Sequence, residues 1–481
     1  MSAAPMRGRV LLLAVVATAL AVSACAAHTT PATDIRDYAV TLHATGRCDA
    51  GEVCKWYFEY WPALSPRLGG HDIEPSETTP VQGPVNGPTG LKNVSARIRV
   101  FPGTTYRWVF CGSPNNGATF VCSGPNGTFG STTADPPPDF GTFTSKQLKT
   151  LAEGWNGSVW FVQRTRRVSQ TIPSEFSGVS CTSPTACTAV GREGSFSDTR
   201  TLAERWDGTS WTVQPTAAVS GASINLASVS CPSPSACVAV GTGAGFGPPL
   251  AEHWDGTTWT TKPTVDPRPT ESDSLFSGVS CTSATACTAV GATINNASAT
   301  PPGTVFTLAE RWNGSSWTVQ PTPNPGGSGS FKAVSCTSAT SCFAVGFGGA
   351  GTLAAHWNGS TWTVQPTPSP GSFNGVSCTS DTACTAVGSY FNGTRLVTVA
   401  ARWNGSVWTA QTTPNTDGFS ELKSVSCSSA TSCTAVGDPF LAEHWDGTSW
   451  TIQPTPSSNP FTRLAAVSCS SGASCTAVGQ R

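Results

Sequence analysis

The chain has 481 residues and a formal net charge of −1, with only 11% of its residues charged. No basic field is available to hold nucleic acid, and abundant Gly, Ser, Thr, Pro and Val favour strands and turns over helices. This length is expected to hold more than one domain.

The chain opens with Arg7 and Arg9, the apolar run Val10 to Val22, and then Ser23-Ala24-Cys25. A basic start, a short apolar core and small residues before a cleavage point make a secretory signal peptide. The run falls short of the roughly 20 residues that a membrane-spanning helix needs. The order Val22-Ser23-Ala24-Cys25 resembles the lipobox of bacterial lipoproteins. That resemblance implies an acylated Cys25 at the mature N-terminus, with residues 1–25 as signal and lipobox. The alternative is cleavage after Ala26 or Ala27 and free secretion. Either way the expected location is extracytoplasmic, with any membrane contact through a lipid anchor alone.

Cysteine usage agrees with export. Of 19 cysteines, setting Cys25 aside leaves 18, all in close pairs. Where disulfides persist, such a set reads as a bridge framework. Two pairs, Cys48/Cys54 and Cys111/Cys122, fall in an N-terminal part without repeats. Here Trp56-Tyr57-Phe58-Glu59-Tyr60-Trp61 alternates like a sandwich strand. The segment Phe101 to Trp108 resembles the P-G-T-x-Y-x-W stretch of bacterial fibronectin type III domains. The resemblance implies a β-sandwich over residues 34–133, with Tyr106 packed as a tyrosine corner. Asp135-Pro136-Pro137-Pro138 then marks a stiff linker over 134–145.

From residue 146 the chain repeats. VSCTSPTACTAVG (Val179 to Gly191) recurs as Val229–Gly241, Val279–Gly291, Val334–Gly346, Val376–Gly388, Val425–Gly437 and Val467–Gly479, making seven copies. WDGTSW from Trp206 recurs from Trp155, Trp254, Trp312, Trp357, Trp403 and Trp445, and these phrases hold 14 of the 17 tryptophans. Each unit reads as four short strands: one ending in V-S-C, then C-x-A-V-G, L-A-E-R-W and W-T-V-Q-P-T. Asn-Gly or Asp-Gly between the third and fourth is a hairpin signal, since both positions tolerate φ > 0. Four strands at a period of roughly 42 to 55 residues match propeller blades. The copies begin mid-unit at Leu151 and end at Gly479, so the two half-units sum to one. The expected fold is all-β, a seven-bladed β-propeller over 146–481 preceded by the sandwich. Cys181/Cys187, Cys231/Cys237, Cys281/Cys287, Cys336/Cys342, Cys378/Cys384, Cys427/Cys433 and Cys469/Cys475 then staple the hairpin between strands one and two. Each seven-residue loop contributes about 2 kcal/mol by chain entropy. The C-x5-C spacing does not suit zinc.

The order A-V-G … D-G-x-x-W resembles the propellers of photosystem II assembly factors, and Asp207-Gly208-Thr209-Ser210-Trp211 resembles the Asp-box turn of sialidase-type propellers. The composition also resembles that of actinobacterial proteins. The propeller resemblance implies that the Trp turns and disulfide hairpins share one face, leaving the variable loops on the other. On that second face Tyr390, Phe391, Phe246, Phe347, Arg166, Arg167, Arg192 and Arg268 are candidate binding residues, against the alternative that they are scattered surface groups.

No residue stands out as catalytic. Tyr390 is the ring's only tyrosine, with Arg395 close by. His253, His356 and His444 all occupy the repeated position before a Trp, and Glu204, Glu252, Glu310 and Glu443 recur likewise, with Ala355 and Ala401 in two copies. Repetition marks them as architectural. Asp266, Glu271 and Asp273 break the repeat but share one Pro-rich linker and read as solvated. The N-x-S/T triplets at Asn156, Asn313, Asn358, Asn392 and Asn404 are turns of the repeat first and glycosylation acceptors second. No cofactor or metal is expected. The leading expectation is a surface binding scaffold for a glycan or protein partner. An envelope glycoside hydrolase or lyase, and a purely structural or assembly role, are the alternatives.

Overall fold

The computed structural model describes residues 149–481 apart from loop stretches 166–171, 196–197, 245–246, 268–271, 296–303 and 457–461 and single positions 218, 222, 350, 369 and 417; of residues 1–148 it describes only the backbone of the strands. The chain separates into two compact units, one of residues 1–100 with 104–145, the other of 101–103 with 146–481.

In the first unit, Ala27–Thr33, Ala39–Cys48 and Gly90–Arg99 form a three-stranded antiparallel sheet. A second antiparallel sheet centres on Cys54–Pro62 and Thr105–Ser113. The alternating aromatic stretch lies in Cys54–Pro62, with Tyr60 opposite Trp108. Cys111 stands opposite Cys122 in register on neighbouring strands. Cys25 and the linker Pro136–Pro138 lie outside the described residues, as do the side chains of Cys48, Cys54, Tyr106, Cys111 and Cys122.

The second unit is all antiparallel β-sheet, and each repeat makes one four-stranded sheet in chain order. Sheet one is Ser174–Ser183, Ala186–Ser195, Asp198–Trp206 and Trp211–Gln214, with a short added strand Ser220–Gly221. Sheets two to six follow the same order, starting at Asn225, Ser272, Gly329, Ser372 and Glu421. Sheets two and three are also bridged once, Thr242 to Leu275. Sheet seven joins the two ends of the unit. Arg463–Ser471 and Ser474–Gln480 pair with Thr150–Trp155 and Trp160–Gln163, and Leu151 faces Gly479.

Each first strand contains a β-bulge at the same place. The register slips between Phe176 and Gly178, and equivalently around Ala227, Ser277, Lys332, Asn374, Lys423 and Ala465. The bulge brings a first-strand carbonyl onto the glycine of A-V-G. A Cβ at Gly191, Gly241, Gly291, Gly346, Gly388, Gly437 or Gly479 would stand 1.8–2.0 Å from that oxygen. Glycine is therefore obligatory there.

Consecutive sheets share apolar cores, and sheet seven shares one with sheet one. Sheet one meets sheet two through Val190, Ala203, Leu226 and Trp259. Sheet seven meets sheet one through Ala152, Val478, Phe176 and Trp211. A set of seven hydrogen bonds runs the same circuit. The backbone N–H of Cys231, Cys281, Cys336, Cys378, Cys427, Cys469 and Cys181 donates to the hydroxyl of Ser180, Ser230, Ser280, Ser335, Ser377, Ser426 and Ser468 respectively, at 2.9–3.0 Å.

The seven cysteine pairs of the repeats are all bridged as the spacing implies: Cys181–Cys187, Cys231–Cys237, Cys281–Cys287, Cys336–Cys342, Cys378–Cys384, Cys427–Cys433 and Cys469–Cys475. They staple the hairpin as expected, and the second cysteine of every pair is in addition a core residue. Cys187, Cys237, Cys287, Cys342, Cys384, Cys433 and Cys475 are only 1–4% exposed. The reason is the period of the strand. In C-x-A-V-G the cysteine and the alanine two residues on point to the same face, and that face packs on the inter-sheet core, as Cys237 does with Ala239 and Cys433 with Ala435. Each first cysteine is half-buried against the same cluster as its partner. The bridge thus fills core volume as well as closing a loop, and its inner sulfur is shielded from solvent.

The tandem tryptophans do what the spacing implies. Trp206 and Trp211 pair across the turn with ring centroids 5.7 Å apart. The turn itself differs from expectation, because only the glycine takes positive φ (Gly208, 97°). Asp207 instead accepts the N–H groups of Thr209 and Ser210, each at 2.8 Å. A side chain that caps two amides in this way forms an Asx turn and has no need of the left-handed region. The Thr209 hydroxyl, which donates to the same carboxylate at 2.7 Å, and these two amides hold the Asp207 carboxyl well below the usual carboxylate range.

The residue before the first Trp links neighbouring sheets. The guanidinium of Arg205 lies 5.4 Å from the Trp254 ring, Arg311 5.0 Å from Trp357 and Arg402 5.2 Å from Trp445. His253 takes the same slot against Trp312, at 4.5 Å. His356 stacks on Phe343, which in turn meets Trp403 of the next sheet. Architecture thus absorbs these histidines.

The recurring glutamates are fully buried. Glu252 accepts the N–H of Ala217 and Glu310 that of Val265, whereas neither carboxylate oxygen of Glu443 finds a hydrogen-bond partner among the described residues. Burial pushes the carboxyls of Glu153, Glu252 and Glu310 up to about 7 and that of Glu443 up to about 8. Because their folded-state values are raised, these groups bind more protons in the folded state than unfolded. The stability they contribute is complete below about pH 4.5 and is lost as pH rises through 7 to 8. Glu443→Gln should therefore raise the melting temperature at pH 8.5 and flatten its decline between pH 5 and 8. The difference is on the order of 2–4 kcal/mol; thermal melts across pH check it, and a parallel decline in both proteins would contradict it.

Candidate functional site

The strand order gives every sheet of the second unit two unlike ends. At one lie the disulfide hairpin and the Trp turn, which touch: a Cβ on Gly208 would meet Thr185, and one on Gly405 would meet Thr382. That end repeats from sheet to sheet. The connections that vary in length and composition are at the other end, and most non-repeated charged and aromatic groups gather with them. Asp381, in the hairpin of sheet five, is an exception; it accepts a hydrogen bond from Thr337.

At the variable end, the Arg192 Nε–H donates to Glu175 Oε1 at 2.6 Å. The bulge column provides the second group. Its residues Ser177, Ala227, Ser277, Lys332, Asn374, Lys423 and Ala465 are all half-buried. They sit on the strands that neighbour one another from sheet to sheet, where backbones come so close that a Cβ on Gly178 would lie 2.9 Å from Cα of Ser228. Bulges re-aim side chains and recur beside functional sites.

Three consecutive bulges carry a long cationic or amide side chain. Lys423 pairs with Glu421 at 2.7 Å and reaches Asp438 at 3.9 Å. Asn374 donates across the sheets to Glu421 Oε1 at 3.0 Å and to the Leu422 carbonyl at 2.9 Å. Burial raises the Asp438 carboxyl, while Lys423 and Arg463 pull it back. Lys332 differs from both. Its ammonium lies 5.4 Å from the Phe347 ring, and among the described residues no carboxylate stands within ion-pair distance of it. Burial and the charge of Lys423 lower its affinity for its proton.

Phe347 is thus the partner of Lys332, and Arg192 belongs to an ion pair. Tyr390 is half-buried and packs against the core between sheets four and five. Phe391, beside it, is 64% exposed. Phe246, Arg166, Arg167 and Arg268 lie outside the described residues, as does Glu271. The structure does not bring Arg192 together with Tyr390 and Phe391, which stand four sheets on in sheet five. Asp266 and Asp273 are half-buried rather than solvated. Asp266 accepts from Ser274 at 3.2 Å, and burial, with the charge of Asp266, raises the Asp273 carboxyl. Among the described residues no group of three or more His, Cys, Asp or Glu side chains could hold a metal ion.

The bulge residues Lys332, Asn374 and Lys423 are absent from the sequence-based candidates. Their signal was present: aligned on the first cysteine of each repeat, the column four residues earlier reads Ser, Ala, Ser, Lys, Asn, Lys, Ala.

No family model and no curated protein matches the chain. Among solved structures it resembles "YCF48 bound to D1 peptide" at 14% identity and a TM-score of 0.41, covering 64% of this chain and 89% of that one. It also resembles YCF48 from Cyanidioschyzon merolae at 13% identity and a TM-score of 0.40, covering 65% and 98%. Likenesses this remote fix neither an architecture nor a ligand.

The different burial of two adjacent aromatics yields a direct test. Tyr390→Ala should destabilise the chain by about 1–2 kcal/mol, because it strips a side chain from the inter-sheet core. Phe391→Ala should stay within about 0.5 kcal/mol of the parent. Denaturant unfolding compares them, and equal losses would contradict the placement.

Proposed function

We propose that residues 146–481 form a closed seven-bladed β-propeller that binds a glycan or protein partner through its variable-loop face. Closure is supported by the circuit of Ser–Cys hydrogen bonds, which returns from Ser468 to Cys181, and by the pairing of both ends of the unit in sheet seven. In this reading residues 34–133 are a fibronectin type III-like sandwich that acts as a spacer, and the linker is the part of 134–145 outside the strand Gly141–Thr144, which pairs with Thr105–Trp108. The signal over 1–25 exports the chain, with Cys25 carrying a lipid.

One observation carries the binding role. The repeated polar side chains are consumed by packing, capping and inter-sheet contacts, while the non-repeated ones collect at the end away from the disulfides. Seven equivalent sites are of little use to an asymmetric ligand, so recognition falls to the columns that differ. Loops set on a rigid scaffold are where such specificity usually resides.

The test compares the two ends directly. Phe391 (64% exposed) lies at the variable end and Val407 (53% exposed) in the Trp turn of sheet five. Purified mature protein, with Phe391→Asp and Val407→Asp alongside, is screened against an array of defined envelope polysaccharides and purified surface proteins. The expected result is saturable binding that Phe391→Asp weakens at least fivefold and Val407→Asp leaves intact. Binding lost only in Val407→Asp would place recognition at the disulfide end and overturn the reading.

A further inference from the structure

We propose that Lys332 is an anion-binding residue on this face and takes the carboxylate of an acidic sugar. The inference rests on the propeller reading above and names a ligand chemistry for it. It begins from an asymmetry within one column of the repeat. The seven bulge positions are structurally equivalent, so a side chain placed there serves no repeated architectural need. Four are Ser or Ala, and one of the remaining three, Lys423, has its charge answered by Glu421 and Asp438. Asn374 is likewise held, by Glu421 and the Leu422 carbonyl. Lys332 is half-buried, and among the described residues only the Phe347 ring lies against its ammonium. A half-buried ammonium without a counter-charge gives up part of its hydration for nothing, and the scaffold accepts Ser or Ala at the same place in other sheets. A ligand anion supplies the missing partner.

The charge count selects the kind of anion. One unanswered ammonium balances one negative charge, which suits a carboxylate better than a phosphate dianion. The surroundings select what bears it. Phe347 stands 5.4 Å from the Lys332 ammonium in sheet four, and Tyr390 and exposed Phe391 lie at the same end of sheet five. An aromatic ring beside a cation, with further rings at the same end of the next sheet, suits a sugar ring with a carboxyl group.

Isothermal titration of the mature protein uses three probes: trigalacturonate, neutral maltotriose and inorganic phosphate. Trigalacturonate should bind the parent at least tenfold more tightly than maltotriose, and more tightly than phosphate. Lys332→Met should weaken it at least tenfold, whereas Lys423→Met should do so by less. Without ligand, the melting temperature of Lys332→Met should equal or exceed the parent's, as expected where a site residue is held at a cost in stability. Trigalacturonate binding unchanged in Lys332→Met would overturn the assignment. So would a lowered melting temperature with unchanged binding, which marks a packing residue, or tighter binding of phosphate. If the parent binds neither anion, the acidic-sugar inference falls, and the Phe391/Val407 comparison decides separately whether the face binds anything.

Discussion

The second unit depends on how closely its first strands approach one another. Backbone lies so near backbone that the residue before each V-S-C valine is small: Gly178, Ser228, Gly278, Ala333, Gly375, Ser424 and Ala466. At that separation the serine of V-S-C reaches the next sheet's cysteine N–H at about 3 Å. Each such bond is worth only about 1 kcal/mol net. Their weight lies in what their absence would leave, a backbone donor without a partner on a crowded interior edge. The disulfide begins at the same cysteine, so the staple and the inter-sheet contact are anchored on one residue. Shortening the loop and fixing the neighbour are then a single structural device, used seven times.

Crowding on the inside is matched by bulk further out. The second Trp of each pair is buried where neighbouring sheets diverge, as Trp211 is beside Phe176 and Trp317 beside Phe276. These large rings fill the apolar cores between consecutive sheets. The buried glutamates belong to the same layer. A neutral carboxyl can both donate and accept, so protonation suits a site with a single backbone donor, such as Ala217 N–H beside Glu252. An oxidising compartment preserves the bridges, and the acidic side of neutrality favours the glutamates.

Much of this was legible because repetition averages out local ambiguity. One V-S-C-x5-C phrase is a weak signal, whereas seven at regular spacing define strand order, hairpin ends and the shared last sheet. The spacing named the bridges but not their depth, since burial of Cys237 or Cys384 depends on which strand face meets the next sheet. The Trp turn was readable as a hairpin but not in its detail. Asn-Gly suggests two left-handed residues, and nothing in the dipeptide says that the Asp207 carboxylate will cap the turn instead. The bulge was legible in principle from the invariant glycine of A-V-G, since glycine inside a strand often marks a bulge or a close backbone approach. It passed unread because the glycine also suits a strand end. The surroundings of the candidate residues were not legible for another reason. Tyr390 and Arg192 sit in loop-like sequence, yet one packs on a core and the other on a carboxylate, and partners far along the chain are invisible to composition.

Separating repeated from unrepeated residues is itself a physical argument about function. A side chain present in every sheet makes the same contact each time, and that contact stabilises the whole arrangement in proportion to its copies. Natural selection for stability can therefore account for the tryptophans, the serines and the buried glutamates without any ligand. It does not account for Lys332. The bulge column accepts Ser or Ala, and among the described residues the contact that Lys332 adds is with the Phe347 ring. Lys423, two sheets on, shows what a lysine at this position looks like when the chain itself supplies the counter-charge. The difference between these two lysines, equal in fold position and unequal in partners, is the asymmetry that an external ligand would resolve.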